Sequence, residues 1–390
     1  MKLGISVYPE QKTIQEIESY LALASRYGFT KVFTSMFSIP KSAEEIEEQF
    51  TEFCQKAHQY GMEVSTDVNP QCFDKMKATP SDLSVFKRMG IDSIRMDACF
   101  NDERDLMLIN NPQGIHIEYS AMMIPVIDKL LDQGADPSKI MVCHNFYPQR
   151  YTGADTSFVN QINEHWKVKK VAVGLFITSQ KKDTHGPWPV SDGLCTIEEH
   201  RNLPVDVQLR HLLAMDNTDE ILFGNAFASE EEFKAIKSIM DLMNENEKTD
   251  VDEVTRQILE FILSDQKMKI HLLKLDLDPS VTQHEKDVVF HFPCHFDMGD
   301  GTSYMLRSRL SRIVYKDNIP LRECGKTKFT RGDVVIVNDH CAHYRGEVQI
   351  VLKDMEVDGQ RNLIGHIKEE ELFLIDYIKP KEQFKFIEER

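Results

Sequence analysis

The first 240 residues alternate between short apolar runs and amphipathic helical patterns, and this alternation constrains the fold more than any other feature. Eight runs are dense in Val, Ile, Leu, Met and Phe without regular polar alternation, as in parallel strands covered on both faces. They span residues 2–8, 31–37, 63–68, 93–98, 115–119, 139–146, 170–178 and 220–227. Eight strand–helix units predict an α/β protein with a TIM (β/α)8 barrel. A doubly wound sheet is the alternative, but no GxGxxG or GxxxxGK[ST] motif follows any strand.

Signals for the ends of helices support the same division. A hydroxyl residue followed three positions later by glutamate forms a capping box, in which each side chain satisfies a free backbone amide. The predicted boxes are Thr13–Glu16, Ser42–Glu45, Thr196–Glu199 and Ser229–Glu232. Four glycines stand where helices should end in a left-handed residue. These are Gly28, Gly61, Gly90 and Gly134.

The sequence changes character after about residue 245. Residues 1–245 form the predicted barrel domain, and a charged stretch then begins a linker or connecting helix over residues 246–267. Short β-like runs separated by turn signals predict a smaller all-β domain over residues 268–390, a small barrel or sandwich. The runs are KIHLLKLDL, DVVFHF, SYMLRSRL, DVVIVN, EVQIVL and ELFLIDYI.

Composition limits the classes of function. The formal net charge of −17 argues against a general nucleic-acid or membrane-surface binder, but a few local arginines could still hold an anionic small molecule. No apolar run is long enough to span a bilayer, and no secretory signal is visible. The eight cysteines show no CxxC pair or metal-ligand spacing. We therefore expect a cytoplasmic protein with reduced thiols.

Acidic side chains stand near the carboxyl ends of three consecutive predicted strands, where a TIM barrel builds its active site. They are Asp67, Asp97 and Glu118. Neighbouring carboxylates raise one another's pKa and divide the roles of acid and base. Arg95 could instead neutralise one of them within a buried network. We predict catalytic roles for all three.

The segment HNFYPQRYTG, residues 144–153, brings hydrogen-bond donors, aromatic faces and a cation to the end of the sixth strand. Asn145 can hydrogen-bond vicinal hydroxyls, and Arg150 can bind a phosphate or carboxylate through two parallel hydrogen bonds. Tyr147 could contact a ring or pack the loop. His144 has no partner histidine at metal-ligand spacing. We predict that His144, Asn145, Tyr147 and Arg150 bind substrate, with no metal and no cofactor.

Other substrate-binding candidates come from a long loop and from two further strand ends. The loop after the seventh strand, residues 179–201, is rich in Gly and Pro, and loops of this length in a barrel are usually functional. Trp188 in this loop could stack on a sugar face or simply anchor the loop. The remaining candidates in the barrel are Tyr8, Glu198, Arg201 and Asn225.

Several segments together resemble one known family. They are GISVYPE, TDVNP, RMD, GIHIEYSA, HNFYPQRYTG, TIEEHR and RGDVVIVNDHCAHYRGEVQI. Over essentially its whole length the chain is similar to the bacterial 6-phospho-N-acetylmuramidases. Two positions depart from the family pattern: Tyr119 stands where it has Asn, and Asn225 where it has Asp.

The resemblance implies a TIM barrel followed by a cyclophilin-like β-barrel. It also implies cytoplasmic hydrolysis of 6-phospho-N-acetylmuramic acid linked to N-acetylglucosamine, within cell-wall recycling. The substrate would be a phosphorylated amino-sugar disaccharide, with no nucleic acid or membrane as a partner. In such an arrangement the second domain closes over the barrel mouth, so Arg307 and Arg345 become further candidates for substrate binding.

A glycosidase needs two carboxyl groups beside the scissile bond, about 5 Å apart in retaining enzymes and roughly 6.5–9.5 Å apart in inverting ones. Asp97 and Glu118 come from neighbouring strands, which favours the shorter distance. We expect one to act as nucleophile and the other as acid/base, with Asp67 tuning a pKa or binding a hydroxyl.

Other classes of function stay open from the sequence. A metal-dependent sugar-phosphate epimerase or lyase would use the same carboxylates. A non-catalytic carbohydrate-phosphate binding protein would bind the disaccharide and leave it intact. A Schiff-base aldolase is disfavoured, because Lys31, Lys139 and Lys170 lie at the starts of strands, the wrong end of a barrel.

Overall fold

Eight parallel strands form a closed barrel in the first part of the chain, and each pairs with the next while the last pairs with the first. They are β1 (Lys2–Ser6), β2 (Lys31–Ser35), β3 (Glu63–Val68), β4 (Ser93–Met96), β5 (His116–Ser120), β6 (Ile140–Cys143), β7 (Ala172–Ile177) and β8 (Glu220–Phe223). The predicted TIM barrel is confirmed.

The structure, a computed structural model, describes residues 1–36, 39–187, 192–244, 269–293, 295–299 and 302–388. The chain divides into two units, Met1–Met240 and Asp241–Arg390. The predicted linker at 246–267 lies outside the described residues, as does Trp188.

Helices connect successive strands of the barrel. They are α1 (Ile14–Arg26), α2 (Ala43–Gln59), α3 (Pro70–Met76), α4 (Ser84–Met89), α5 (Glu103–Ile109), α6 (Ile124–Asp132), α7 (Thr156–Lys169), α8 (Val205–Met215) and α9 (Glu230–Asn244). Helix α2 buries Ile46, Phe50, Phe53 and Ala57 on the stripe that faces the sheet. Gly90 ends α4 with a φ of 89°, and an added Cβ there would lie 3.0 Å from the Cβ of Cys54, so two reasons favour glycine at this position.

Three of the four predicted capping boxes are confirmed, at Thr13, Ser42 and Ser229. The fourth, at Thr196, is wrong. The Thr196 hydroxyl donates to the carbonyl of Asn145 at 2.9 Å and accepts from the amide of Phe176 at 3.0 Å. Thr196 therefore ties the loop after β7 to the ends of β6 and β7 instead of starting a helix.

The second unit is built mainly from strands. They are β9 (Ile270–Leu277), β10 (His295–Phe296), β11 (Met305–Ser308), β12 (Lys328–Phe329), β13 (Asp333–Val337), β14 (Val348–Val351), β15 (Met355–Glu356), β16 (Arg361–Ile367) and β17 (Gln383–Ile387). Seven form one sheet in the order β10-β17-β9-β16-β13-β14-β11, and β12 pairs with β15. Two short helices, α10 (Gln283–Phe290) and α11 (Ser311–Val314), accompany them, and the predicted β domain is confirmed as a mostly-strand unit.

Two of the six strands predicted for this unit are wrong. The run DVVFHF lies largely in α10, which starts at a capping box formed by Thr282 and Glu285 and buries Val288 and Val289. The run ELFLIDYI lies in a 3-10 helix, Glu369–Tyr377. A short apolar run suits a buried helix as well as a strand, and here the helical cap decides between them.

Among the described residues, no helix has the length and apolar character needed to cross a membrane.

Candidate active site

A cavity of about 250 Å³ opens among the carboxyl ends of the barrel strands. Side chains from the ends of β2, β3, β4 and β6 line it, together with one residue of the loop after β7, because the carboxyl ends of parallel strands meet at one end of a barrel. The lining residues are Ser35, Asp67, Arg95, Asp97, Asn145, Phe146 and Pro187. Three of the predicted site residues, Asp67, Asp97 and Asn145, thus share one cavity.

The guanidinium of Arg95 organises the polar side of the cavity. Its Nη1 donates to Oδ1 of Asp67 at 2.7 Å, and its Nη2 donates to Oδ1 of Asn145 and to the carbonyl oxygen of Cys143, the last at 3.4 Å. Arg95 and Asp67 are both buried. One cation therefore fixes an acid from β3 and an amide that follows β6 in a single arrangement.

The two carboxylates of the cavity lie in different environments. Burial raises the pKa of Asp67 to about 6, and the attraction of Arg95 offsets only part of that rise. Asp97 directly follows β4 and its side chain is exposed to solvent. A pair of acids whose surroundings differ in this way can divide the roles of proton donor and anion.

Phe146 and Pro187 give the cavity an apolar side. The ring of Phe146 packs edge-on against Phe176 and Phe33, with centroid separations of 5.0 Å and 6.3 Å. Phe33, Phe176, Cys143 and Leu222 form a buried apolar cluster inside the barrel. The cavity thus combines a charged side with an apolar side that is packed against this cluster.

Glu118 belongs to a second charged cluster, inside the barrel. Its Oε1 accepts from Nζ of Lys31 at 2.6 Å and from the hydroxyl of Ser65 at 2.9 Å, and Lys31 also donates to Glu220 at 2.7 Å. Burial alone would raise the pKa of Glu118, but Lys31, Ser65 and Arg95 together outweigh it and lower that pKa. Burial alone would lower the pKa of Lys31, but Glu118 and Glu220 together raise it. Glu118 is not among the residues that line the cavity.

Glu198 and Arg201 join the two loops beside the cavity to each other. The Glu198 carboxylate accepts hydrogen bonds from Nε and Nη2 of Arg201, both at 2.7 Å. It also accepts hydrogen bonds from the backbone amides of Tyr151 and Gly153. Arg201 Nη1 donates to the carbonyls of Tyr147 and Asp192. The hydrogen bond with Arg201 is the main cause that lowers the pKa of Glu198 to about 2. Both predicted substrate-binding side chains are thus engaged in holding the loops together.

Three further predicted site residues make buried contacts within the barrel. Tyr8 donates to the carbonyl of Gly224 at 2.9 Å, and His144 Nε2 pairs with Asn163 at 2.7 Å. Burial lowers the pKa of His144 to about 4, so the imidazole is neutral at pH 7. Asn225 accepts a hydrogen bond from the backbone amide of Ser179, in the loop after β7, and makes several other hydrogen bonds at the start of this loop.

Arg150 and Tyr147 lie in the loop after β6. The Arg150 side chain is 56% exposed and its Nε donates to Asp192 at 2.9 Å, which leaves most of its fork accessible. The backbone amide of Tyr147 donates to the carbonyl of Cys195, so this residue links the two loops through its main chain.

The two arginine candidates of the second unit have protein partners. Arg307 makes a two-pronged contact with the buried carboxylate of Glu347, through Nε at 2.7 Å and Nη2 at 3.0 Å. Arg345 Nη1 donates to Asn318 at 3.0 Å and to Asp339 at 3.2 Å. Within this unit both guanidinium groups stabilise turns and strand neighbours.

Sequence reasoning missed four lining residues as site residues: Ser35, Arg95, Phe146 and Pro187. Ser35 ends β2, so its place at a strand end was a usable signal. Phe146 stands inside the singled-out segment HNFYPQRYTG, but an apolar residue there fits core packing equally well. Among the described residues, no three His, Cys, Asp or Glu side chains gather in a metal-binding group.

Comparison with known proteins gives two matches to family models that together span most of the chain. A model described as 6-phospho-N-acetylmuramidase, N-terminal, matches residues 3–238, and one described as 6-phospho-N-acetylmuramidase, C-terminal, matches residues 270–387. No curated protein sequence matches.

Two solved structures resemble the whole chain. An uncharacterized protein from B. cereus is 36% identical, with 99% of each chain covered and a TM-score of 0.83. A conserved protein of unknown function from Enterococcus faecalis is 22% identical, with 100% of this chain and 97% of that chain covered and a TM-score of 0.68. The second likeness supports the fold alone.

Proposed function

We propose a mechanism and a substrate from one premise: the chain belongs to the 6-phospho-N-acetylmuramidase family. It is therefore an enzyme, a glycosidase. In our proposal the barrel hydrolyses the bond between 6-phospho-N-acetylmuramic acid and N-acetylglucosamine, and the reaction serves the recycling of cell-wall fragments in the cytoplasm. The observation that carries the mechanism is the pair of aspartates, Asp67 and Asp97, in one cavity at the end of the barrel.

Asp67 is the proposed general acid. Burial raises its pKa to about 6, which keeps a usable fraction protonated near neutral pH. It gives its proton to the glycosidic oxygen as the bond from that oxygen to the anomeric carbon breaks. Arg95, at 2.7 Å, then stabilises the carboxylate that remains.

Asp97 is the proposed second carboxylate, acting on the anomeric carbon. As a nucleophile it would form a glycosyl-enzyme ester that water then hydrolyses, with Asp67 taking the proton from that water. As a general base it would instead take a proton from the water that attacks directly. The two routes give opposite anomeric configurations in the first product, so the stereochemistry of that product identifies the role.

We assign Glu118 a different task from the catalytic one that its strand position suggested. Lys31 and Ser65 already occupy its carboxylate, and Lys31 also neutralises Glu220. A buried cation shared by two carboxylates compensates both of their charges, and its removal would leave two buried charges without a partner. Glu118 is thus proposed to balance charge inside the barrel.

The apolar side of the cavity and one exposed arginine complete the proposed substrate site. Phe146 would lie against an apolar face of the sugar ring, held by its own contacts with Phe176 and Phe33. The cavity, at about 250 Å³, is smaller than the ~300–1,000 Å³ of pockets for drug-sized ligands, so it suits a single sugar ring. Arg150, largely exposed, is the proposed contact for the 6-phosphate.

The testing experiment incubates the full-length protein with 6-phospho-N-acetylmuramyl-N-acetylglucosamine, with and without EDTA. Mass spectrometry follows the products, and proton NMR in the first minutes gives the anomeric configuration. We expect release of N-acetylglucosamine in both samples. An intact disaccharide with the untreated protein would contradict the proposal, and loss of activity with EDTA that divalent metal restores would favour the metal-dependent class.

A further inference from the structure

Asn145 has a fixed amide orientation. Its side chain faces Nη2 of Arg95, and a guanidinium can donate hydrogen bonds but cannot accept them. The atom of Asn145 that faces Arg95 must therefore be Oδ1, and Nδ2 must point the other way. The backbone is fixed as well, because the carbonyl of Asn145 accepts the hydroxyl of Thr196 at 2.9 Å.

The two N–H groups of Nδ2 are consequently available to a ligand. Asn145 lines the cavity, and Nδ2 makes no hydrogen bond to any residue that the structure describes. Had Oδ1 faced the cavity, the site would have favoured a hydroxyl donor. With Nδ2 there, it favours an acceptor oxygen, such as that of a carbonyl.

The position of Asn145 within the proposed mechanism narrows the choice of acceptor. The same guanidinium that holds Asn145 also holds Asp67, the proposed acid at the scissile bond. A group so close to that acid contacts substituents next to the anomeric carbon, namely the ring oxygen and the group at C2. In an N-acetylated sugar the group at C2 is an acetamide, whose carbonyl is the strongest neutral acceptor nearby.

A second feature of the cavity fits the same ligand group. An acetamide ends in a methyl group, which needs an apolar neighbour, and Phe146 is the next residue in the chain and lines the same cavity. The strand end thus presents an amide donor and an aromatic ring side by side. These are the two contacts that distinguish an acetamide from a hydroxyl or an amine.

We propose that Asn145 is the residue that selects for the 2-acetamido group of the phosphorylated sugar, with its Nδ2 donating to the acetamide carbonyl while Arg95 holds its Oδ1. The inference rests on the proposed function, because Asp67 places the anomeric carbon. A site built to donate to a substrate carbonyl leaves its own polar group without a partner when that carbonyl is missing, which penalises the analogue strongly.

The test compares two disaccharide phosphates that differ only at C2 of the phosphorylated sugar, one with acetamide and one with hydroxyl. For the wild-type enzyme we expect kcat/KM to favour the acetamide by about 100-fold or more. Asn145→Asp removes both donors at nearly constant shape, and the preference should fall below about tenfold. Asn145→Ala should lower it as well, without adding a charge beside Asp67. The matched control is Asn110→Asp, an exposed asparagine that ends α5, which should keep the wild-type ratio.

A preference that stays within about twofold of wild type in both Asn145 variants would overturn the inference. Failure of the proposed function looks different, because the wild-type enzyme would then cleave neither disaccharide. In that case calorimetry with N-acetylglucosamine 6-phosphate and glucose 6-phosphate decides. Tighter binding of the acetylated sugar by wild type but not by Asn145→Asp supports the inference, and equal affinities in wild type count against it.

Discussion

Two charged clusters lie in the same barrel, and each pairs a buried cation with at least one acidic side chain. In the first, the open cluster, Arg95 holds Asp67 and Asn145 beside the cavity. In the second, the closed cluster, Lys31 holds Glu118 and Glu220 inside the barrel. The sequence presents Asp67 and Glu118 alike, as acids on β3 and β5, with only β4 between them. Their surroundings set them apart.

The difference lies in how completely each acid is compensated. Lys31 and Ser65 together compensate the burial of Glu118, and its pKa is lowered. Arg95 compensates Asp67 only in part, and its pKa is raised to about 6. An acid whose charge is fully satisfied stabilises the fold, whereas one held near its titration point can exchange a proton with a substrate. The position of an acid along its strand places it in the barrel, and its hydrogen-bond and ion-pair partners determine whether its role is catalytic or structural.

The sharpest test of this contrast removes the acid of the open cluster. Asp67→Asn should lower kcat by about 10²–10⁴-fold, because the amide cannot give a proton to the leaving group. Its Oδ1 can still accept from Arg95, so we expect the urea-unfolding midpoint to stay close to wild type at about pH 4, where folded Asp67 is protonated. Product release measured by mass spectrometry gives the rate. The matched control, Asp74→Asn on an exposed turn of α3, should be fully active.

The converse test disturbs the closed cluster. Lys31→Met leaves two buried carboxylates without a cation, and breaking such a pair costs about 3–5 kcal/mol of unfolding free energy. Glu118→Gln should be much milder, because Lys31 keeps Glu220 and the new amide oxygen can still accept. Urea unfolding measures both variants, and activity is compared per folded molecule. A loss of kcat in Glu118→Gln as large as that in Asp67→Asn, with normal stability, would return Glu118 to the catalytic pair.

The pH dependence of kcat/KM and of the unfolding free energy tests the role of Asp67 with at most one substitution. If Asp67 must be protonated, kcat/KM should fall about tenfold per pH unit above an apparent pKa of about 6. The free energy of unfolding depends on the same carboxyl group. Because the pKa of Asp67 is higher in the folded protein than its unfolded value of about 3.9, its stabilising contribution is present at low pH. That contribution is lost as the pH rises through about 6. The difference in unfolding free energy between wild type and Asp67→Asn should therefore shift between about pH 4 and 6. A flat kcat/KM profile from pH 5 to 8 would contradict the acid role.

The barrel could be predicted from the sequence because buried parallel strands are nearly continuous apolar runs, and all eight strands lie within their predicted positions or one residue from them. The second unit was harder. Its run DVVFHF is apolar enough for a strand, but the helix there depends on the cap at Thr282, a signal in the residues just before the run. Strand β16 was missed because its sequence, RNLIGHI, contains a glycine and polar residues that weaken a strand signal.

The site was predictable only in part, for a geometric reason. Position at a strand end identified Asp67, Asp97 and Asn145, which share the cavity. It could not reveal that Lys31, at the opposite end of its strand, reaches Glu118, because strand stagger around the barrel and the length of the lysine side chain make that contact. Phe146 escaped notice because an apolar ring in a loop carries no sign of whether it faces a ligand or the core.

The smallest expected effect concerns an arginine outside both clusters. Arg150→Ala should raise KM for the phosphorylated disaccharide about tenfold and leave kcat nearly unchanged, because an exposed charge far from the scissile bond binds substrate and transition state alike. The unphosphorylated disaccharide should show no such change, which separates loss of a phosphate contact from general damage to the loop. Arg88→Ala is the matched control, since Arg88 is also exposed and also makes one ion pair, with Glu47. If Arg150→Ala left KM unchanged, a group other than Arg150 would bind the phosphate.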